Sequence, residues 1–337
     1  MTMPSNIPQV SAPLPWQAET WKRLNQQLAQ EQLPHALLLT GLQYTGKARL
    51  ALALARLLLC ATPAGGLNCG KCHSCELSAS GSHGDFRWLE PAGASRVIKI
   101  DQIREVVEFT GKTASFGLRK VIVIAPAENM NISAANALLK VLEEPGSNTY
   151  LILVCHRPHG LPATIRSRCQ FLRPASPSAG ESLDWLDRIS ASRAESEHLL
   201  NLAGERPLLA AQLYEDGSGE RLQRARLAMT EVFAGKSSTA SLAAILADDE
   251  LPRALGQLVD GIQALLRALD GPALATIQAR DAFQLLDQMR EIQRAINGGS
   301  NPNQQMVMDS LLAKVQRVLG DGGLGGNIGT GSTGAHQ

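Results

Sequence analysis

In the first half of the chain, apolar residues gather into short unbroken runs separated by helical stripes. His35-Ala36-Leu37-Leu38-Leu39-Thr40, Val121-Ile122-Val123-Ile124 and Tyr150-Leu151-Ile152-Leu153-Val154 are the clearest runs. A run without polar alternation marks a strand covered on both faces, as in a parallel sheet. Gln170-Phe171-Leu172 predicts a further short strand, and His83 to Leu89 predicts a turn into another. Trp16, Trp21, Leu24 and Leu28 have helical spacing, whereas residues 1 to 15 show little core pattern. Leu50 to Ala61 is apolar except for Arg56 and predicts a buried helix from about Lys47 to Cys60. Asp101 is placed to cap a helix carrying Ile103, Val106, Val107 and Thr110. Asn131 or Ser133 caps another through Glu144, which Pro145-Gly146 stops. Strands that alternate with helices predict a parallel α/β domain over residues 1–173.

The second half has no strand pattern. Pro174 to Gly180 is a Pro/Ser-rich connector, and a small helical domain is expected over 174–215. Asp216-Gly217-Ser218-Gly219 marks the next boundary. From there to residue 319 the stripe is helical throughout, as at Leu255, Leu258, Val259, Ile262, Leu265 and Leu266. Residues 320–337 are rich in glycine and are expected to be disordered. Three folded parts agree with a length of 337 residues, which is long for a single core.

Composition narrows the function classes. With 44% hydrophobic and 19% charged residues, the chain has an ordinary soluble composition. A formal net charge of +1 argues against gripping nucleic acid over the whole surface, and leaves a local basic patch open. The longest apolar run falls short of the ~20 residues of a membrane span. The N-terminus lacks the charged and apolar regions of a secretory signal. The expected location is therefore the cytoplasm, where clustered cysteines suggest a metal rather than disulfides.

Two clusters carry chemistry. Gly41-Leu42-Gln43-Tyr44-Thr45-Gly46-Lys47-Ala48 follows a strand and opens a helix. That is the setting and nearly the sequence of a phosphate-binding P-loop, G-x-x-x-x-G-K-[ST]. Such a loop needs a hydroxyl after the lysine to hold Mg²⁺, and Ala48 has none. The strand Val121 to Ile124 should end in metal-holding acids, yet it runs into Ala125-Pro126-Ala127, with Glu128 too late. The second cluster is Cys60, Cys69, Cys72 and Cys75, spaced C-x8-C-x2-C-x2-C. Four thiolates at this spacing close a tetrahedral, structural Zn²⁺ site with no open position. A redox pair or unrelated buried cysteines are the other readings, and His73 is the substitute ligand to consider.

These motifs occur in a telling order. The cysteine set follows the loop helix, then comes Asn136-Ala137-Leu138-Leu139-Lys140-Val141-Leu142-Glu143-Glu144-Pro145, then Ser167-Arg168-Cys169. Together they resemble the bacterial replicative clamp loader, an AAA+ assembly, and within it the δ′ subunits of DNA polymerase III. The resemblance covers about residues 16 to 172. It implies a P-loop AAA+ domain with an inserted zinc-binding module, a small helical lid and an all-α collar that joins subunits in a ring. It implies partners too: the γ/τ and δ subunits and, indirectly, the sliding clamp and primed DNA. Arg168 would be an arginine finger for a neighbouring γ/τ ATP site, with Arg166 the competing candidate. Gly41, Gly46 and Lys47 would be a vestigial nucleotide site. Active relatives carry a G-S-x-R-like sensor where this chain has Gly204-Glu205-Arg206-Pro207, with proline in the arginine position. The implied function is that of a subunit that does not hydrolyse ATP itself. Lys47 and both loop glycines remain, so a γ/τ-like active ATPase is the alternative. A zinc-ribbon nucleic-acid binder is a third reading, disfavoured by the near-neutral charge.

Overall fold

A computed structural model describes residues 7–93, 96–116 and 119–320. The chain divides into two compact units, residues 1–215 and 216–337. The first begins with α1 (Ala18–Ala29), β1 (Ala36–Thr40), α2 (Lys47–Leu59) and α3 (His73–Ala79). It continues through β2 (Phe86–Leu89), α4 (Ile100–Gly111), β3 (Lys120–Ile124), α5 (Ile132–Glu143) and β4 (Thr149–Cys155). It then runs through α6 (Ala163–Arg166), β5 (Gln170–Leu172), α7 (Ala179–Leu186), α8 (Arg193–Leu202) and α9 (Pro207–Glu215).

Among the described residues, five strands form one parallel sheet in the order β2-β3-β4-β1-β5. Side chains alternate across it as a period of two requires. Leu37, Leu39, Val121, Val123, Ile152 and Val154 pack in one core with α2. Leu38, Ile122, Ile124, Leu151 and Leu153 pack in the opposite core with residues of α4 and α5. Both faces are covered, which explains why these strands are continuously apolar. The α2 helix is buried almost all round, as its unbroken apolar sequence implies.

Two local expectations are settled by cap geometry. Asn131, not Ser133, caps α5, its side chain accepting from the Ala134 N–H at 2.8 Å. Asp101 does not cap α4. Lys99 holds that position in extended backbone, and the Gln102 side chain reaches back to its N–H at 3.1 Å. That reach-back satisfies the N-terminal end, so Asp101 lies inside the first turn and pairs with Arg104 at 3.1 Å. The short α3, immediately after the third cysteine, has no clear signal in the periodicity.

Residues 8 to 17 act as a strap, although their sequence has little core pattern. Ser11, Leu14 and Trp16 are buried. The strap is held by Arg56, which projects from α2 and is only 1% exposed. Its guanidinium donates to the carbonyls of Pro8 and, at 3.0 Å, Gln9, and to Ser11 Oγ at 2.8 Å. It also donates to the Cys75 carbonyl and Ser78 Oγ on α3, each at 3.1 Å. A buried cation is tolerated when its donors are satisfied, and Arg56 has five acceptors to satisfy it.

The second unit comprises α10 (Gly219–Phe233), α11 (Thr239–Leu246), α12 (Leu251–Ala268), α13 (Gly271–Leu274), α14 (Ile277–Asn297) and α15 (Gln304–Val315). It contains no strand among the described residues. The stripe from Leu255 to Leu266 on α12 lies in its core. Asp249, its side chain 2% exposed, receives Arg221 at 2.9 Å and Gln257 at 2.9 Å. The glycine-rich tail expected over 320–337 lies, from residue 321 on, outside the described residues.

Replacing Arg56 with Leu takes the side-chain donor from the Pro8 carbonyl and leaves Gln9 and Cys75 to their remaining donors, Asn68 Nδ2 at 2.9 Å and Ser78 Oγ at 3.1 Å. The expected outcome is a loss of about 1–3 kcal/mol, read from urea unfolding, with residues 8–11 becoming open to proteolysis.

Candidate functional site

All strands of the sheet point the same way, so its two ends differ in chemistry. The loop after β1, the turn after β3 and the turn after β4 share the finishing end. At that end Lys47 Nζ donates to the carbonyls of Gly41 at 2.8 Å and Leu42 at 2.5 Å, within its own loop. Thr45 Oγ1 donates to the Leu42 carbonyl at 2.8 Å. Trp16 Nε1 and Gln17 Nε2 reach the Thr45 carbonyl at 3.0 and 3.4 Å. Leu208 N–H, from α9, donates to the Tyr44 carbonyl at 3.3 Å. Gly46 has a φ of +94°, and a Cβ there would stand 2.2 Å from Leu14 Cδ1. The strap thus closes over the glycine on which the loop turns. Ala48 adds only a buried methyl group.

Lys47 is 3% exposed. Burial lowers its pKa to about 8, opposed by the Glu128 carboxylate and Cys155. Glu128 was expected to come too late in the chain to act here. A 3-10 turn, Ala127–Asn129, folds it back under the finishing end. Its Oε1 accepts the backbone N–H groups of His156 at 3.0 Å and Arg157 at 3.2 Å, and its side chain is 2% exposed. An acidic residue in a turn directly after a buried strand was the available signal. It was missed because counting positions from the strand ignores the turn. His156 is the second unforeseen residue. Burial, with Lys47 and Arg157 nearby, lowers its pKa to about 3. Its Nδ1 is buried without a hydrogen-bond partner, as is Glu128 Oε2.

In the sensor-like stretch Gly204 and Glu205 are exposed, Arg206 is half-buried and Pro207 is buried. Pro207 opens α9, where its missing N–H costs nothing, and Arg206 Nε donates to the Ala203 carbonyl at 2.7 Å.

Arg168 stands at the starting end of the sheet. Gln170 pairs with Leu37, so Arg168 lies two residues before that level and Gly41 four residues beyond it. At ~3.3 Å per residue the two are roughly 20 Å apart along the strands. The side chain is 37% exposed. Its Nη1 donates to the Thr164 carbonyl at 3.1 Å, and its Nη2 is paired with Glu143 Oε1 at 2.6 Å. Arg166 is half-buried, with its Nε lacking a hydrogen-bond partner. Cys169 is a core thiol, pushed up to about 12 by burial.

The four cysteines meet. Their sulfur atoms all lie within 4.8 Å of one another, with Cys60–Cys72 and Cys69–Cys75 each at 3.9 Å. A tetrahedron of sulfurs ~2.3 Å from zinc has edges of ~3.8 Å, so the cage is the right size for that ion. The Cys69 N–H donates to Cys60 Sγ at 3.2 Å, the Cys72 N–H to Cys69 Sγ at 3.3 Å, and Asn68 Nδ2 to Cys75 Sγ at 3.3 Å. Donors aimed at sulfur favour thiolates, the form a metal takes. Cys69 is drawn down to about 5 by the Thr62 hydroxyl and the Lys71 N–H, whereas burial pushes Cys60 up to about 12. His73 is exposed and lies against Phe116 rather than in the sulfur cage.

The chain is similar to known proteins. A family model described as DNA polymerase III, delta subunit, matches residues 16–177. The chain is 45% identical over 215 residues to DNA polymerase III subunit delta′ of Pseudomonas aeruginosa, an alignment spanning 63% of this chain and 64% of that one. To the subunit delta′ of Escherichia coli K12 it is 32% identical over 266 residues, 78% of each chain. With the subunit delta′ of Yersinia pestis the match spans only 51% of that protein's length. Among solved structures, a DNA polymerase III gamma subunit-related protein of Thermotoga maritima aligns with a TM-score of 0.52 at 19% identity. That alignment covers 89% of this chain and 99% of that one, a likeness of fold.

The His156 environment sets a pH dependence. The fold refuses a proton that the unfolded chain accepts near its ordinary 6.5, so stability falls as pH drops from 6.5 towards about 3. Thermal unfolding between pH 7 and pH 4 should show this decline, and His156→Gln should make it shallower.

Proposed function

The chain belongs to the DNA polymerase III subunit delta′ family, and on that premise we propose that it is a clamp-loader subunit that does not hydrolyse ATP itself. In this reading it serves as a scaffold and lends Arg168 to the ATP site of a neighbouring γ/τ subunit. The observation that carries the proposal is the loss of metal ligands around an otherwise complete loop. Ala48 has a methyl where Mg²⁺ needs a hydroxyl, and β3 ends in Ala125-Pro126 where acids should stand. Glu128 does not restore them: one oxygen is held by two backbone amides, and its charge balances Lys47. The ammonium that would meet terminal phosphates is spent on Gly41 and Leu42.

The sheet polarity supports the role of Arg168. Arg168 is roughly 20 Å from Gly41 along the strands, and its guanidinium is paired with Glu143 at the starting end of the sheet, away from the loop. A half-exposed arginine at the opposite end is available to another chain, where charge beside a γ-phosphate lowers the barrier to transfer. The helices α7–α9 act in this proposal as the lid, and residues 216–319 as the collar that joins γ/τ and δ in a ring. The ring acts on the sliding clamp and primed DNA in the cytoplasm. The cysteine cage holds one structural Zn²⁺. Four sulfur ligands leave no position for substrate, so the metal stiffens the Cys60–Cys75 segment and takes no part in transfer.

Reconstitution with γ/τ and δ tests the role. Arg168→Ala should leave assembly intact and lower DNA-stimulated ATP hydrolysis by ~10-fold or more, finger arginines elsewhere being worth ~10³ to 10⁵. Unchanged hydrolysis removes the finger, and turnover by the isolated chain that Lys47→Ala abolishes points to the active-ATPase reading. Metal analysis of the purified chain should find about one zinc per chain, and none once the four cysteines are serine. Stripping the metal should lower the Tm, because binding free energy at a structural site is folding free energy.

A further inference from the structure

We propose that Glu143 is a positioning residue for Arg168, fixing the direction in which its guanidinium faces a neighbouring chain. The inference rests on the reading of Arg168 as a finger given in trans. Glu143 is the last residue of α5, and Arg168 follows the single turn of α6. Nothing in the sequence spacing joins them, since 24 residues and the strand β4 intervene. The fold brings both to the starting end of the sheet, where Glu143 Oε1 meets Arg168 Nη2 at 2.6 Å.

The geometry favours orientation over storage. A guanidinium has five N–H donors in a fixed plane. One, on Nη2, goes to Glu143, and one, on Nη1, goes to the Thr164 carbonyl at 3.1 Å. Three N–H donors remain for a phosphate, so both anchors can persist when the finger engages. Two anchors on different nitrogens fix the plane as well as the position, which a single bond does not. Arginine otherwise carries large rotamer freedom, and freedom surrendered beforehand is not lost at the moment of binding. The pair is too exposed to be chiefly a stability device: the side chains are 37% and 50% accessible, and ion pairs in such settings contribute little to folding. Glu143 has a cost as well, since its negative charge stands near the incoming phosphate. That repulsion is the argument for a stowed finger, and it predicts the opposite sign in the experiment.

The test uses the reconstituted clamp loader and DNA-stimulated ATP hydrolysis. Glu143→Ala should lower kcat about threefold and leave the KM for ATP unchanged, a loss smaller than the ~10-fold or more expected of Arg168→Ala. Glu143→Gln keeps an acceptor of the same size at the same place and should recover most of the rate. In an Arg168→Ala background, Glu143→Ala should have no further effect, because it acts through the arginine. A rise in kcat on Glu143→Ala would mean that the pair restrains the finger, and overturns the proposal. An equal loss in both backgrounds would make Glu143 merely structural, and overturns it too. If Arg168→Ala alone changes nothing, the finger reading has failed, whatever Glu143 does.

Discussion

The common direction of the strands governs this molecule. In a parallel sheet every strand starts at one end and finishes at the other, and each return is made by a crossover outside the sheet. Loops of one chemical character therefore collect together without being near in sequence. The Gly41–Lys47 loop, Glu128 and His156 meet because β1, β3 and β4 finish together. Glu143 and Arg168 meet because α5 leads to the start of β4 and Arg168 to the start of β5. With β1 between β4 and β5, both ends of the sheet centre on a single strand. A one-residue slip there would turn Leu38 towards α2 and expel Leu37 and Leu39 from their core, so the register is strongly specified.

The sequence was most informative where burial alone decides the outcome. Continuously apolar β1, β3 and β4, the apolar α2 and the α12 stripe could be read because each residue's partner is simply the core. The cysteine cage could be read because metal ligation imposes both residue type and spacing. What escaped was polar and non-local. Asp101 looked like a cap because its residue type favours that role, but Gln102 reached Lys99 first. Glu128 looked misplaced because its working partners, the amides of His156 and Arg157, lie one crossover away. Residues 8–17 looked uninformative because their anchors are main-chain carbonyls, which every residue has. Arg56 itself appeared only as an interruption in an apolar helix.

Arg56 and the cysteine cage belong together physically. Four thiolates around one divalent ion carry a net charge of −2. Arg56 is held against the Cys75 backbone on the same short helix and places a permanent cation beside that charge. Two groups that would each be costly to bury alone are buried as neighbours. The strap is fastened by the same guanidinium, so the cysteine cluster, α2 and the N-terminal segment share one electrostatic centre.

The closure of Leu14 over Gly46 has a consequence in mass action. A loop shaped by a dissociable ligand follows that ligand's concentration, with a stabilisation of RT ln(1 + [L]/Kd). Here the groups that satisfy the loop, Lys47, Trp16 and Gln17, are covalently part of the chain. Their effective concentration is fixed by tether length and does not fall on dilution. The groups that hold this strand–loop–helix joint are therefore in place as soon as the chain folds.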